Sequence, residues 1–469
     1  MKIKTATMLW WHRWLSWMTM VFFVMFTVTG VVILFRPYMM ALDTGSVVFP
    51  KVPAYSSTSE QISALWGSAD KGEAALAQKY PNKEILGIAP LLDDNTLRYR
   101  VGDKDAKTVA ASHMTMGGEA MTWDPQSSTL TANRSLPHQY GFVTPLFAVM
   151  HNLHERLFLG HTGTYILGVI SLFCAFSVLT GFFLYGPFRR TALQGARLGQ
   201  GRSFWSFIHQ ELAMVTGIWA IVLCLSGSAV SLYSYFNMQY TQTVSAHALR
   251  QLHTDARPSD VLSPDQAIAA INAKFPGQSV ISMDTPSKFN HHRYIFYIAP
   301  KGEMNPDTFW GQPVYASLHA DGHNQFYTEA VPWYISALIV LVNQHLHNHA
   351  TFALRVLWAI WLVLLTIALV TGLRLSFKFK ASEMKGTAAL SSTATTGTAP
   401  NATAVITAPV NDGQENVASS LWKRPICWNV LALAGLIVPR FHFAGADTIA
   451  AVCLLAPLIW LAYAWRVRA

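Results

Sequence analysis

Long blocks of uninterrupted apolar sequence decide what this chain can fold into. Runs from about Trp10 to Phe35, Gly163 to Gly186, Phe204 to Tyr235 and Thr351 to Phe377 carry few or no charges. Each exceeds the roughly 20 residues that an α-helix needs to cross about 30 Å of hydrocarbon. Two shorter apolar segments follow, about Ile426–Val438 and Thr448–Trp465. In hydrocarbon every backbone polar group must be satisfied within the protein, so such runs become helices. The chain is 52% hydrophobic and only 13% charged, against about 25% charged in a soluble domain. These features predict a polytopic membrane protein.

The formal charge of +9 does not mark a nucleic-acid binder, because the basic residues sit beside the apolar runs. Lys2, Lys4 and Arg13 flank the first, and Arg189, Arg190, Arg197 and Arg202 follow the second. Lys378, Lys380 and Lys385 follow the fourth, and Arg466 and Arg468 the last. The positive-inside rule places all these ends, and both termini, in the cytoplasm of a bacterial-type inner membrane. The first run is too long for a signal peptide, and no small-x-small cleavage site precedes Leu42. From about 386 to 420 the chain is mostly Ala, Thr, Ser, Gly and Asn without an aromatic residue, which predicts a disordered cytoplasmic linker over 381–420. Cys174, Cys224, Cys427 and Cys453 all lie in apolar runs and form neither a CxxC pair nor a CxxCH haem attachment.

The two halves repeat. His12 precedes Gly30 by the same interval that separates His209 from Gly227, at an offset of 197. Leu179-Thr180-Gly181 matches Val370-Thr371-Gly372 at 191, and Leu153-His154 matches Leu346-His347 at 193. Between the helices, Ala75–Pro81 resembles Ala270–Pro276, each a short helix ended by proline. Alternating runs follow at Leu97–Val101 and Tyr294–Ile298, then turns at Trp123-Asp124-Pro125 and Ala320-Asp321-Gly322. A repeat of this length is a duplicated half rather than a solenoid. The expected architecture is a membrane α-helical bundle of four core helices, a duplicated pair, plus two C-terminal helices. Two extracytoplasmic α+β domains are inserted in it. The expected boundaries are helix 1 at 8–36, domain 1 at 40–148, a short helix with helix 2 at 149–187, and helix 3 at 203–236. Domain 2 follows at 237–332, a short helix with helix 4 at 333–378, and the last two helices at 426–466. The fifth apolar segment is short enough for an interfacial or re-entrant helix.

Seventeen histidines are many for this length, and metal-binding residues within membrane segments are functional by default. His12 and His209 sit at the cytoplasmic ends of repeat-related helices; His154 and His347 sit at the opposite ends of the other pair. Two neutral imidazoles across a gap are what a six-coordinate haem needs, so these four are the candidate ligands of haem iron. His151 and His161 crowd the first outer position and His345 and His349 the second, which leaves the outer set open. One interfacial histidine alone is more often a snorkelling or capping residue; two repeat-related pairs favour ligation. Zinc is the rival metal, but beyond Glu155 no cysteine or carboxylate completes such a site. Gly30, Gly227, Gly181 and Gly372 lie opposite the histidines, where a flat macrocycle or a close helix contact requires small residues. Arg36, Arg156 and Arg355 are candidates to neutralise haem propionates.

The segments Trp11-His12-Arg13-Trp14 and Leu153-His154-Glu155-Arg156-Leu157-Phe158-Leu159-Gly160, the Thr-Gly pairs and the two inserted modules together resemble the PepSY-associated transmembrane family. The resemblance covers most of residues 8–380, with PepSY-like domains at 59–130 and 263–328. It implies similarity to bacterial inner-membrane ferrisiderophore reductases of the FoxB type. Those carry b-type haem between their helices and pass electrons to ferric iron or a ferric siderophore in the periplasm. Two haem b groups are expected, with a quinol or a cytoplasmic protein as electron donor, since no GxGxxG, Walker A, GxSxG or HExxH motif is present. The sequence leaves the catalytic residues open. A transporter is disfavoured because no apolar segment carries a central acidic residue. The alternative is a non-enzymatic PepSY-domain regulator or iron-uptake accessory protein.

Overall fold

The computed structural model describes residues 5–35, 38, 59–91, 95–104, 119–133, 143–196, 201–252, 261–287, 290, 292–300, 311–346, 351–393, 427–438 and 446–466. In chain order the elements are α1 (Thr5–Leu34), α2 (Ser59–Trp66), α3 (Ala69–Lys79), β1 (Lys83–Leu91), β2 (Thr96–Asp103), β3 (Glu119–Asp124) and β4 (Thr129–Asn133). Then come α4 (Val143–Glu155), α5 (Gly160–Ala196), α6 (Gly201–Gln251), α7 (Pro264–Lys274), β5 (Gln278–Asp284), β6 (Tyr294–Pro300), β7 (Gln312–Ser317) and β8 (Gln325–Thr328). The chain ends with α8 (Trp333–Leu346), α9 (Phe352–Thr393), α10 (Cys427–Ile437) and α11 (Ala446–Arg466). They form two compact units, one from residues 1–40, 143–232 and 344–469, the other from 41–142 and 233–343.

In the first unit, α1 packs against α4, α5 and α9, and α9 against α11. Five described helices are long and apolar enough to cross a membrane: α1, Gly160–Tyr185 of α5, Phe204–Gln251 of α6, Phe352–Phe377 of α9, and Ala446–Tyr463 of α11. The fifth apolar segment forms only α10. At about 1.5 Å per residue its length is roughly half the hydrocarbon thickness. Along the spans, hydroxyls bond back to the preceding turn, as Thr19 does to Leu15 O and Thr216 to Leu212 O, both at 2.8 Å. Three helices outrun the expected boundaries. α5 continues to Ala196, and α6 runs unbroken for 51 residues to Gln251. α9 enters the expected linker as far as Thr393, because Met384, Lys385, Ala388 and Ala389 are strong helix formers. The rest of that linker, 394–420, lies outside the described residues.

The second unit joins the inserted modules in one antiparallel sheet of eight strands, order β4-β3-β2-β1-β5-β6-β7-β8. The expected pair of separate domains is therefore one body with a single core. Leu76, Tyr99 and Met121 of the first repeat share it with Ile271, Tyr294 and Phe296 of the second. Alone, each four-stranded module would expose β1 or β5 as an unpaired edge; together they pair across Ile88 and Met283. Both strands carry a register shift at repeat-equivalent positions, Ile85/Gly87 and Val280/Ser282. Gly87 is required at this junction, since a Cβ there would lie 2.9 Å from the Met283 carbonyl oxygen.

The first turns of α3 and α7 cap each other. The Asp265 N–H donates to Asp70 Oδ1 at 2.8 Å, and the Asp70 N–H to Asp265 Oδ1 at 3.1 Å. Ser263 Oγ donates to the second Asp70 oxygen at 2.6 Å. Glu73 lies beside this pair; burial, then the Asp70 and Asp265 charges, raise its pKa. Burial likewise raises that of Asp265. The folded unit thus holds protons that the unfolded chain has released, so its stability is expected to fall as pH rises from the ordinary carboxylate range through these raised values. Glu73→Gln is expected to flatten that slope and raise stability at neutral pH. Asp70→Ala is expected to cost about 1–2 kcal/mol through loss of the caps. Hydrogen exchange of the sheet amides as a function of pH checks both.

Candidate functional site

Four Ser/Thr-Gly dipeptides in the membrane unit each receive a histidine from another helix. His12 of α1 enters at Thr180-Gly181 of α5, and His209 of α6 at Thr371-Gly372 of α9. His154, in the last turn of α4, enters at Thr29-Gly30 of α1. His345, in the last turn of α8, enters at Ser226-Gly227 of α6. The glycine gives the ring room against the helix: a Cβ on Gly181, Gly227 or Gly372 would come 3.2, 3.1 or 2.8 Å from the facing histidine Cε1.

The residue before each glycine folds its hydroxyl back onto its own helix. Thr180 donates to Ser177 O at 2.8 Å, Thr371 to Ala368 O at 2.9 Å, Ser226 to Leu223 O at 3.1 Å and Thr29 to Met25 O at 2.6 Å. Such back-bonding opens the helix locally. In two sockets the same carbonyl also serves the incoming ring: His12 Nδ1 donates to Ser177 O at 2.9 Å and His209 Nδ1 to Ala368 O at 2.8 Å. His345 Nδ1 meets Ser226 Oγ at 3.2 Å, whose own hydrogen goes to Leu223 O. His154 Nδ1 meets Thr29 Oγ1 at 2.7 Å, whose own hydrogen is committed to Met25 O. A carbonyl can only accept, so these bonds assign the proton to Nδ1 and leave the Nε2 lone pair free.

The sockets form two levels. His12 lies within electrostatic reach of His209. The His154 and His345 rings face each other with centroids 6.1 Å apart and planes 34° from parallel. On α1 and α6 alike, eighteen residues separate the histidine of one level from the glycine of the other, about 27 Å along a helix. Between the levels, Trp219 and Trp361 are fully buried with ring centroids 5.8 Å apart, and Trp358 is buried beside them.

At the fourth position His345, one of the histidines that crowd the outer level, stands opposite His154; His347 and His349 lie outside the described residues, as does Arg36. His154 to His345 shares its offset of 191 with Gly181 to Gly372, whereas the Leu-His pair aligns at 193. His151 is held by Glu155 at 2.8 Å and stacks on Phe147. His161 is exposed at the start of α5, because the chain turns between the helices with positive φ at Leu157, Phe158 and Gly160. Gly163 permits that turn, since a Cβ there would sit 1.7 Å from Arg156 O. Arg156 pairs with Glu155 at 3.2 Å, and buried Arg355 donates to Leu34 O at 2.8 Å, one turn beyond Gly30. The Ser and Thr hydroxyls were not among the expected site residues; their signal is a hydroxyl residue before each of the four glycines.

The family model of the PepSY-associated TM region matches residues 9–378, a span that contains all four sockets. The chain belongs to this family. It is a multi-pass membrane protein. No curated protein matches the chain.

Among the described residues no group of three or more His, Cys, Asp or Glu could hold a metal ion. Each level instead offers two neutral imidazole nitrogens. Packing around the rings yields a direct test. Gly372→Ala is expected to displace His209 and cost about 1–3 kcal/mol by overpacking. Gly30→Ala, whose Cβ would stand 3.6 Å from His154, should stay within about 0.5 kcal/mol. Thermal unfolding in detergent distinguishes the two.

Proposed function

We propose that this protein is an inner-membrane reductase that passes electrons across the bilayer to ferric iron, presented as a siderophore or other chelate. In this proposal it contains two haem b groups, one at each histidine level. The observation that carries this reading is the fourfold histidine socket, arranged in two levels about 27 Å apart along the helices, close to the thickness of the hydrocarbon core, with His154 and His345 facing each other at one of them.

The residues present fit haem. At the second level the His154 and His345 ring centroids lie 6.1 Å apart, a spacing that would let both rings hold one metal-bearing group. The Nδ1 bonds to carbonyl or hydroxyl fix the tautomer and ring orientation that metal ligation would need. A two-histidine site suits a metal that arrives with its remaining donors, whereas structural zinc demands four protein ligands. Haem, when bound, supplies reversible one-electron chemistry.

The chain's own groups do the rest. His12 and His209 would hold one haem and His154 and His345 the other. Gly181, Gly372, Gly30 and Gly227 keep the adjoining helix surfaces flat. Arg355 places positive charge one turn from Gly30, suited to an anionic propionate. The tryptophan-filled core between the levels excludes water. The charge bias puts the His12 level at the cytoplasmic face, where a quinol or a cytoplasmic protein would serve as donor. Ferric iron is held by hard oxygen ligands, and reduction weakens that hold, so the protein needs only to deliver an electron.

The purified protein should show low-spin b-type haem spectra, oxidised and dithionite-reduced. His12→Ala or His209→Ala should remove one signal and keep the other, and His154→Ala or His345→Ala the reverse. The reduced protein should be reoxidised by a ferric siderophore, with Fe(II) captured by a ferrous chelator. A purified chain without haem, or one that gives electrons to no ferric chelate while its soluble unit binds a protein, would replace this reading with the regulatory one.

A further inference from the structure

The family match ends at residue 378, yet α10 lies beyond it and is built into the membrane unit. Ala432 and Leu436 of α10, with Ala450 and Leu454 of α11, are fully buried in the core that holds Trp219 and Trp361. Asn429, near the start of α10, is buried against α6. Its Oδ1 accepts from the Ile218 N–H at 3.1 Å, and its Nδ2 donates to Met214 O at 2.9 Å. In an α-helix those two backbone groups belong to one rung. The Asn429 amide bridges that rung of α6, accepting from one group and donating to the other. Near the other end of α10, Leu436 O accepts from Gln344 Nε2 at 3.0 Å. Gln344 is buried and immediately precedes His345.

The geometry assigns α10 a role: it positions the His345 level. Gln344 ties the ring-bearing turn of α8 to one end of α10. Asn429 ties α6 to the other end, eight residues, about 12 Å, before the Ser226-Gly227 socket that receives the ring. One short helix thus sets both the rotation of His345 and the height of its socket. Gln344 and Asn429 are positioning residues, acting through other groups.

The assignment of α10 stands on geometry, and only its spectroscopic test rests on the haem reading. In the full chain as purified, Gln344→Met and Asn429→Leu keep side-chain size and remove the tie points. Modification of His345 by diethyl pyrocarbonate, mapped by mass spectrometry, should become severalfold faster in both variants, with the His209 rate unchanged. The haem signal that His154→Ala removes should shift and its affinity fall on the order of tenfold or more, while the signal that His12→Ala removes stays in place. Equal changes at His345 and His209, or no change at either, would make α10 a general brace and overturn the assignment. If the native chain carries no haem, the functional proposal fails alone and the modification rates still decide the role of α10.

Discussion

In hydrocarbon an imidazole N–H has no water to bond, and a helix has no spare acceptor unless one of its carbonyls takes a second bond. The site depends on how this constraint is met. A Thr or Ser hydroxyl folds back onto its own helix, the carbonyl there takes the histidine Nδ1–H in two of the four sockets and the hydroxyl oxygen takes it in the other two, and the following glycine lets the ring approach. Each histidine is thereby fixed in tautomer and rotation before any ligand arrives, and the Nε2 of each is what remains. A glycine without the hydroxyl would give room but no orientation, and a hydroxyl without the glycine would give an acceptor the ring could not reach.

Duplication supplies the second organising feature, and the two units express it differently. In the sheet unit the repeats fuse: two four-stranded modules become one sheet, and Asp70 and Asp265 exchange helix caps across the junction. In the membrane unit the repeats stay distinct: each socket is built within its own half, and each level takes one histidine from each half. The symmetry is broken by α10, which holds the second repeat at Gln344 and, through Asn429, at Met214 and Ile218 of α6. The two histidines of the His154 level are therefore chemically alike and mechanically different.

Much of this was legible along the chain. Apolar run length fixed the membrane class, because a hydrocarbon slab admits long apolar helices and little else. Period-2 alternation at Leu97–Val101 and Tyr294–Ile298 marked strands, and a repeat offset near 195 tied the halves together. His12, His209 and His154 stood out with the glycines they meet, because ionisable residues at membrane ends are costly enough to be rare. What pairing and packing decide was not legible. That β1 joins β5 depends on two edge strands finding each other across nearly 200 residues. That His345 faces His154 depends on where the last turn of α8 carries it, and the choice within a His-rich stretch is invisible without that placement. That Asn429 bridges a rung of α6 depends on contacts between segments more than 200 residues apart. Local periodicity constrains a residue's neighbours in sequence, whereas these choices are made by neighbours in space.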